Sequence, residues 1–205
     1  MKLLRPWPDH FNSVSLGELC DIRGGKPAPK EGFVEEGEGE GVPFIRMKVL
    51  GKHHVSNNLC EYSELLDPSF AEQKGYRALP KGSILMPRSG SVALNHRAIL
   101  GIEAAIVSHI CALVVKNEIQ CNLDYLFRVL CLMDMRRLST KTTGLDAVSF
   151  AALKKIQIPL PPLDEQKRIA GILDVADILR AKRREALAKL DDLLQSTFLD
   201  MFGDP

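Results

Sequence analysis

The sequence predicts an α+β fold: a mixed β-sheet domain followed by one long C-terminal α-helix that pairs with a second long helix. Three observations carry this expectation. Apolar residues recur at alternating steps of three and four from about residue 164 to 201. Before them, short strand-like runs alternate with turn signals and short helical patterns. The composition, 45% hydrophobic and 26% charged over 205 residues, suits one medium domain with an appendage.

Taken in order, residues 1–12 carry Pro6, Trp7 and Pro8 and read as an irregular arm. Residues 15–20 read as a short turn or helix. Residues 26–41 are rich in Gly, Pro and Glu, including Glu31, Glu35, Glu36, Glu38 and Glu40, which marks an acidic loop. Residues 42–50 (VPFIRMKVL) alternate apolar residues with Arg46 and Lys48, the pattern of a half-buried strand. Residues 63–76 are weakly helical, and 83–86 begin a strand after the Leu79-Pro80-Lys81-Gly82 turn. Residues 104–115 (AAIVSHICALVV) read as a core strand or strand pair, with His109 placed in the core. Leu123, Leu126, Phe127, Leu130 and Met133 predict an amphipathic helix over 123–138. Ser149 caps a short helix through Lys155, and 156–158 form a strand that Pro159, Pro161 and Pro162 end.

The last segment is the strongest signal. From Asp164, which can cap it, to about Met201 the chain consists mainly of strong helix formers, with Gly171 the lone glycine. Ile169, Ile172, Ala176, Leu179, Arg183, Ala186, Leu190, Leu193 and Thr197 form a heptad seam; Leu173, Leu187, Leu194 and Met201 widen it. Such a helix is about 55 Å long, more than a domain of this size can shelter. The partner helix must therefore come from a second copy or another protein. Arg183 in the seam calls for an acidic partner, such as Glu185 or Asp177 of the other helix.

Charge and cysteines bound the function. The 27 basic and 26 acidic side chains leave a net charge of +1, so any nucleic-acid face must come from uneven distribution. The acidic loop would have to point away from phosphates. Five cysteines without short spacing argue against a disulfide framework or a four-ligand zinc site. No apolar run reaches the roughly 20 residues of a membrane span, and the expected location is cytoplasmic. No catalytic constellation is visible. His53 and His54 lack a supporting metal cluster, and residues 87–91 (PRSGS) lack the lysine of a phosphate loop. The chain is expected to be no enzyme and to hold no cofactor or metal.

The segment from Ile158 through Ala170 (IPLPPLDEQKRIA) resembles the hallmark segment of type I restriction-modification specificity subunits, and residues 180–205 continue the likeness. Residues 15–18, 42–46 and 79–86 resemble landmarks of that family's target recognition domain. The resemblance implies a target recognition domain over 1–158 and a spacer helix over 159–205, the helices pairing antiparallel as a ruler. It implies a bipartite DNA site, a modification subunit that carries S-adenosylmethionine, and a restriction subunit reached through the complex. The family usually carries two recognition domains and two long helices. This sequence has one of each, which suits a naturally half-length subunit or a fragment, and a homodimer would read an inverted repeat. The expected dimer contacts are Ile169, Ile172, Leu173, Ala176, Leu179, Ala186, Leu187, Leu190, Leu193 and Leu194.

DNA reading needs side chains that reach base edges and others that grip phosphates. Three loops supply them: Arg46 and Lys48; Arg88, Ser89, Ser91, Asn95, His96 and Arg97; and Lys141, Thr142 and Thr143. Gly24, Gly25 and Gly90 would admit phosphates close to the backbone. The basic run at 180–184 (RAKRR) reads as a solvated face or a modification-subunit contact ahead of a DNA patch. The alternative function is a coiled-coil adaptor or regulatory protein whose N-terminal domain binds protein, which the near-neutral charge would suit.

Overall fold

The computed structural model describes residues 11–34, 40–90, 92–142 and 145–203. In chain order the elements are β1 (Ser13–Ser15), α1 (Leu16–Leu19), β2 (Cys20–Gly24), β3 (Val42–Ile45), α2 (Met47–Lys52), β4 (Ser56–Leu59), β5 (Glu64–Leu66), α3 (Pro68–Lys74), β6 (Ile84–Pro87), β7 (Ala98–Leu100), β8 (Ala105–Ile106), β9 (Ile110–Val115), α4 (Leu123–Cys131), β10 (Thr140–Thr142), β11 (Leu145–Ala147), α5 (Phe150–Lys154), β12 (Gln157–Pro159) and α6 (Leu163–Phe202). Short 3₁₀ turns cover Val92–Leu94 and Met135–Leu138.

Among the described residues, a five-stranded sheet runs in the order β2-β9-β6-β7-β4 and a three-stranded sheet in the order β5-β3-β8. Two antiparallel pairs, β1 with β12 and the hairpin β10 with β11, are separate. The central strands β6 and β9 are buried on both faces, which explains their unbroken apolar sequences. Alternation sorts their side chains. Ile84, Met86, Cys111 and Leu113 enter one core with Leu16, Leu19 and the buried face of α4. Leu85, Ile110 and Ala112 enter a second core with Phe44, Ile45 and Ile106 of the three-stranded sheet. The α+β expectation is borne out, with two larger sheets and two strand pairs where one mixed sheet was expected.

Local caps follow the sequence. Ser15 accepts from the Glu18 amide, Asp67 from Phe70, Asn122 from Tyr125 and Ser149 from Ala152. Three expectations change. The strand expected over 42–50 stops at Ile45, and α2 takes over so that Val49 and Leu50 are buried. The helix expected to reach 138 ends at Cys131, because Asp134 binds the Arg136 amide and side chain and also the Asn95 amide group. The long helix begins at Leu163 with Pro162 at the cap position and no side-chain cap; Asp164 instead lies in the first turn, beside the positive end of the helix dipole.

Helix α6 has 40 residues and is about 60 Å long. Its first turns dock on the domain through Gln166, which is 1% exposed. The Gln166 carbonyl accepts from the Asn122 amide at 2.8 Å, and its amide group donates to Pro161 O at 2.9 Å and Gln120 O at 3.0 Å. Six residues along α4, Arg128 pairs with Asp174 and Asp177, so α4 and α6 run parallel. Ile169 and Ala170 pack on the first core. Ile169 is thus held by its own domain, because it lies on the docked turns of the seam. Beyond Asp177 every described residue of α6 is exposed, including Ile178, Leu179, Leu187, Leu190, Leu193, Leu194, Phe198 and Met201. No helix among the described residues is long and apolar enough to cross a membrane.

Candidate nucleic-acid interface

The sheet topology brings the predicted loops to one end of the domain. β3 and β8 are parallel and finish together, with Ile45 beside Ile106. The β8–β9 turn follows, and β6 ends where β9 begins, with Pro87 opposite Ile110. β2 also ends there, with Gly24 opposite Cys111. Arg46, Arg88, Ser89 and the Ser108–His109 turn therefore share one edge. The β10–β11 hairpin is tied to the same edge. Ser89 bridges Ala147, the Gly90 amide donates to Asp146 O at 3.0 Å, and the Val148 amide donates to Arg88 O at 2.8 Å.

Each predicted side chain can now be placed. The guanidinium carbon of Arg88 lies 4.9 Å from the centre of the Phe150 ring, which orients it from below. Its Nε is shielded from solvent and makes no hydrogen bond. The Ser89 hydroxyl and His109 Nδ1 are hydrogen-bonded at 2.8 Å. His109 is exposed in the turn rather than in the core, because β8 and β9 are separate strands and the residues between them reverse the chain. Arg46 faces Glu64 at 2.7 Å, half-neutralised at the strand end. Lys48 is exposed on α2. Lys141 and Thr142 belong to β10, whereas Ser91 and Thr143 lie outside the described residues.

Three other predicted readers have structural work instead. Asn95 adopts a left-handed backbone, φ 51°, and its carbonyl accepts from the Met135 amide at 2.9 Å. It joins the loop before β7 to the turn after α4. Arg97 is fully buried: its guanidinium donates to His96 O at 2.7 Å and to Asn95 Oδ1 at 3.4 Å. Burial lowers its pKa to about 10. A guanidinium enclosed by β7 and the first core cannot reach a groove, so Arg97 is withdrawn as a base reader. His96 sits edge-on to His54, with ring centres 5.3 Å apart; burial, then the charge of Arg97, lowers the His96 pKa. The proposed glycine roles also change. A Cβ on Gly25 would lie 2.1 Å from Ile106 O, and one on Gly24 would lie 2.9 Å from the Phe150 ring. Both glycines are there for internal packing. Gly90, with φ 75° and open space around it, is the one free to approach a ligand.

The acidic loop leaves from the opposite end of β3. The Val34 amide donates to Leu65 O, Phe33 bridges Leu66, and Leu66 pairs with Val42, the first residue of β3. Glu31 and Glu40 are exposed there; Glu35, Glu36 and Glu38 lie outside the described residues. Among the described residues no group of three or more His, Cys, Asp or Glu side chains could hold a metal. All five cysteines are free thiols, and burial raises Cys20 and Cys111 to about 12.

Sequence reasoning missed Phe150 and His109. Phe150 carries the ordinary apolar signal of a short helix, and His109 sits inside an apolar run that hides a turn. Neither had a distinguishing pattern.

Comparison with known proteins adds the family context. A family model described as type I restriction modification DNA specificity domain matches residues 8–189. A curated relative, the type I restriction enzyme MjaVIII specificity subunit of Methanocaldococcus jannaschii, is 42% identical over 81 residues, 39% of this chain and 19% of that protein. A structure concerned with complex assembly and conformational transition of the type I R-M system superposes with a TM-score of 0.73 at 22% identity, over 94% of this chain and 45% of the other. The HsdS subunit from Thermoanaerobacter tengcongensis superposes with a TM-score of 0.67 at 22% identity, over 97% of this chain and 46% of its own. The present chain thus spans about half the length of those solved chains, and its 81 aligned residues cover about a fifth of the curated relative.

Proposed function

The chain belongs to the family of type I restriction-modification DNA specificity domains, and from that premise we propose that it reads one half of a bipartite DNA site and measures the distance to the other. Residues 1–158 act as the reader and 159–205 as the spacer. Arg88 and Ser89 approach base edges from the β6 end, beside the β10–β11 hairpin that carries Lys141 and Thr142, with Arg46 and Lys48 around them; Ser91 and Thr143 join them on sequence grounds. This end gathers cations and hydroxyls, and the acidic loop leaves from the other end of β3.

The observation that carries the proposal is the apolar stripe of α6. Past Asp177 the helix continues for roughly 37 Å with its leucines uncovered. A second copy, antiparallel, would cover Ile172, Leu173, Ala176, Leu179, Ala186, Leu187, Leu190, Leu193 and Leu194 and hold two identical readers apart. The chain itself supplies no catalysis. A modification subunit bound to the helix pair would carry S-adenosylmethionine and methylate the site, and a restriction subunit would join through that complex.

The test is methylation-site mapping in cells that carry this chain and its modification subunit. An inverted repeat with an unread spacer is expected. An asymmetric motif would refute the homodimer.

A further inference from the structure

Beside the reading end lies a cleft of about 630 Å³ that none of the predicted loops enters. It is lined by Arg23 at the end of β2, Lys26 just past it, and Tyr76 and Arg77 after α3. The floor is formed by Leu79, Ala105 and Ile106, all buried. Three cations and no carboxylate line it.

The cleft is held open by specific contacts. Lys26 Nζ donates to Lys74 O at 2.6 Å, at the carbonyl end of α3, where a cation is favoured. Gly75 takes a left-handed conformation, φ 69°, and a Cβ there would lie 2.9 Å from Lys26 Nζ. The Tyr76 hydroxyl donates to Pro27 O at 2.9 Å, which fixes the opposite wall. Lys26 is thus engaged. Arg23 and Arg77 are exposed and make no side-chain hydrogen bond or ion pair among the described residues. A concave surface of one sign over an apolar floor concentrates its field and favours an anion. The Ser108 amide donates to Lys26 O at 2.7 Å, so the cleft adjoins the turn that presents His109.

We propose that Arg23 and Arg77 seat a backbone phosphate of duplex DNA in this cleft, anchoring the reader irrespective of sequence while the neighbouring loops discriminate bases. This rests on the DNA-reading proposal above. It assigns to two side chains the grip first expected of the Gly24-Gly25 backbone, which the structure uses for packing against Ile106 and Phe150.

The test uses the full chain, wild type and Arg23→Ala/Arg77→Ala, with a labelled duplex of random sequence across a salt series. Both arginines are exposed, and circular dichroism melting checks that the fold is kept. The double variant should bind roughly tenfold more weakly at low salt. Its log–log salt slope should be shallower by about 0.9, the loss of one phosphate contact. Discrimination between methylation targets should not change, and Arg23→Lys/Arg77→Lys should restore the slope. Variant binding and slope equal to wild type would overturn the phosphate seat and leave the DNA reading intact. Altered discrimination at constant slope would also overturn it, since the arginines would then be reading bases. A wild-type chain that binds no duplex even at low salt would overturn the DNA reading and this proposal with it.

Discussion

The Arg128 guanidinium donates to the Asp174 carboxylate at 2.5 Å, joining the middle of α4 to the third turn of α6. Asp177, three residues on, takes the other end of the same guanidinium. Burial opposes the charge on Arg128, but hydrogen bonds to the two aspartates outweigh it and hold its pKa above the ordinary value. With Gln166 pinning the helix at its start, Arg128 is the second point of attachment, and two points define a direction. Arg128→Ala should lower stability by about 1–2 kcal/mol, more than an exposed pair because the arginine side chain is only 15% exposed. Thermal melting reads this as a loss of a few degrees. If α6 is steered by this contact, two spin labels on the paired helices and readers should also show a broadened distance distribution.

Gln166 is the more severe test. Gln166→Leu keeps the volume but strands the Asn122 amide and the Pro161 and Gln120 carbonyls. The expected cost is about 3 kcal/mol, read as a lower urea midpoint with an unchanged slope. Gln166→Glu should restore the Asn122 bond alone and recover little.

Glycine substitutions separate packing from backbone conformation. Gly25→Ala places a methyl group against two backbone carbonyls, Ile106 O at 2.1 Å and Val107 O at 2.3 Å, and should cost about 3 kcal/mol or prevent folding. Gly90→Ala meets nothing within 4 Å and carries only the left-handed strain of φ 75°, about 1 kcal/mol. Chemical denaturation should rank them in that order.

The helix stripe predicts an oligomeric change without a fold change. Leu190→Lys and Leu193→Lys lie on the exposed part of α6, at 56% and 61% exposure. Together they should leave the domain's melting behaviour intact and abolish the proposed dimer in sedimentation. A wild-type chain that is monomeric at high concentration would remove the ruler.

The histidine pair gives a pH dependence. Burial lowers the pKa of both His54 and His96, with the neighbouring cations adding to it. In the unfolded chain both titrate near 6.5. Below that value the unfolded state binds more protons than the folded state, so stability is full above about 6.5 and falls as pH drops through it. His96→Asn should flatten the melting-temperature profile between pH 7 and 5; a profile as steep as wild type would remove His96 as a cause.

Much of this architecture could be read in the sequence because it depends on local signals. Ser149 announces its helix, and the α6 heptads need no tertiary context. The placement of Arg97 depends on what closes over it. An arginine immediately before a strand looks the same in sequence whether it faces solvent or is fully buried. His109 illustrates the same limit, since an apolar run of twelve residues hides a reversal whose partners, β3 and β2, are distant in sequence. Of the cleft, only Gly24 and Gly25 are singled out in the sequence; Arg23 and Arg77 are separated by more than fifty residues, and nothing local links them.

The pairing of β1 with β12 places Ser13 opposite Pro159, so the polypeptide enters the domain and leaves it through one doorway. Such a module can be spliced into a longer chain, or set in tandem with a copy of itself, without disturbing its interior. Exchange of one such domain for another would then need a cut at a single seam and would leave α6 unchanged.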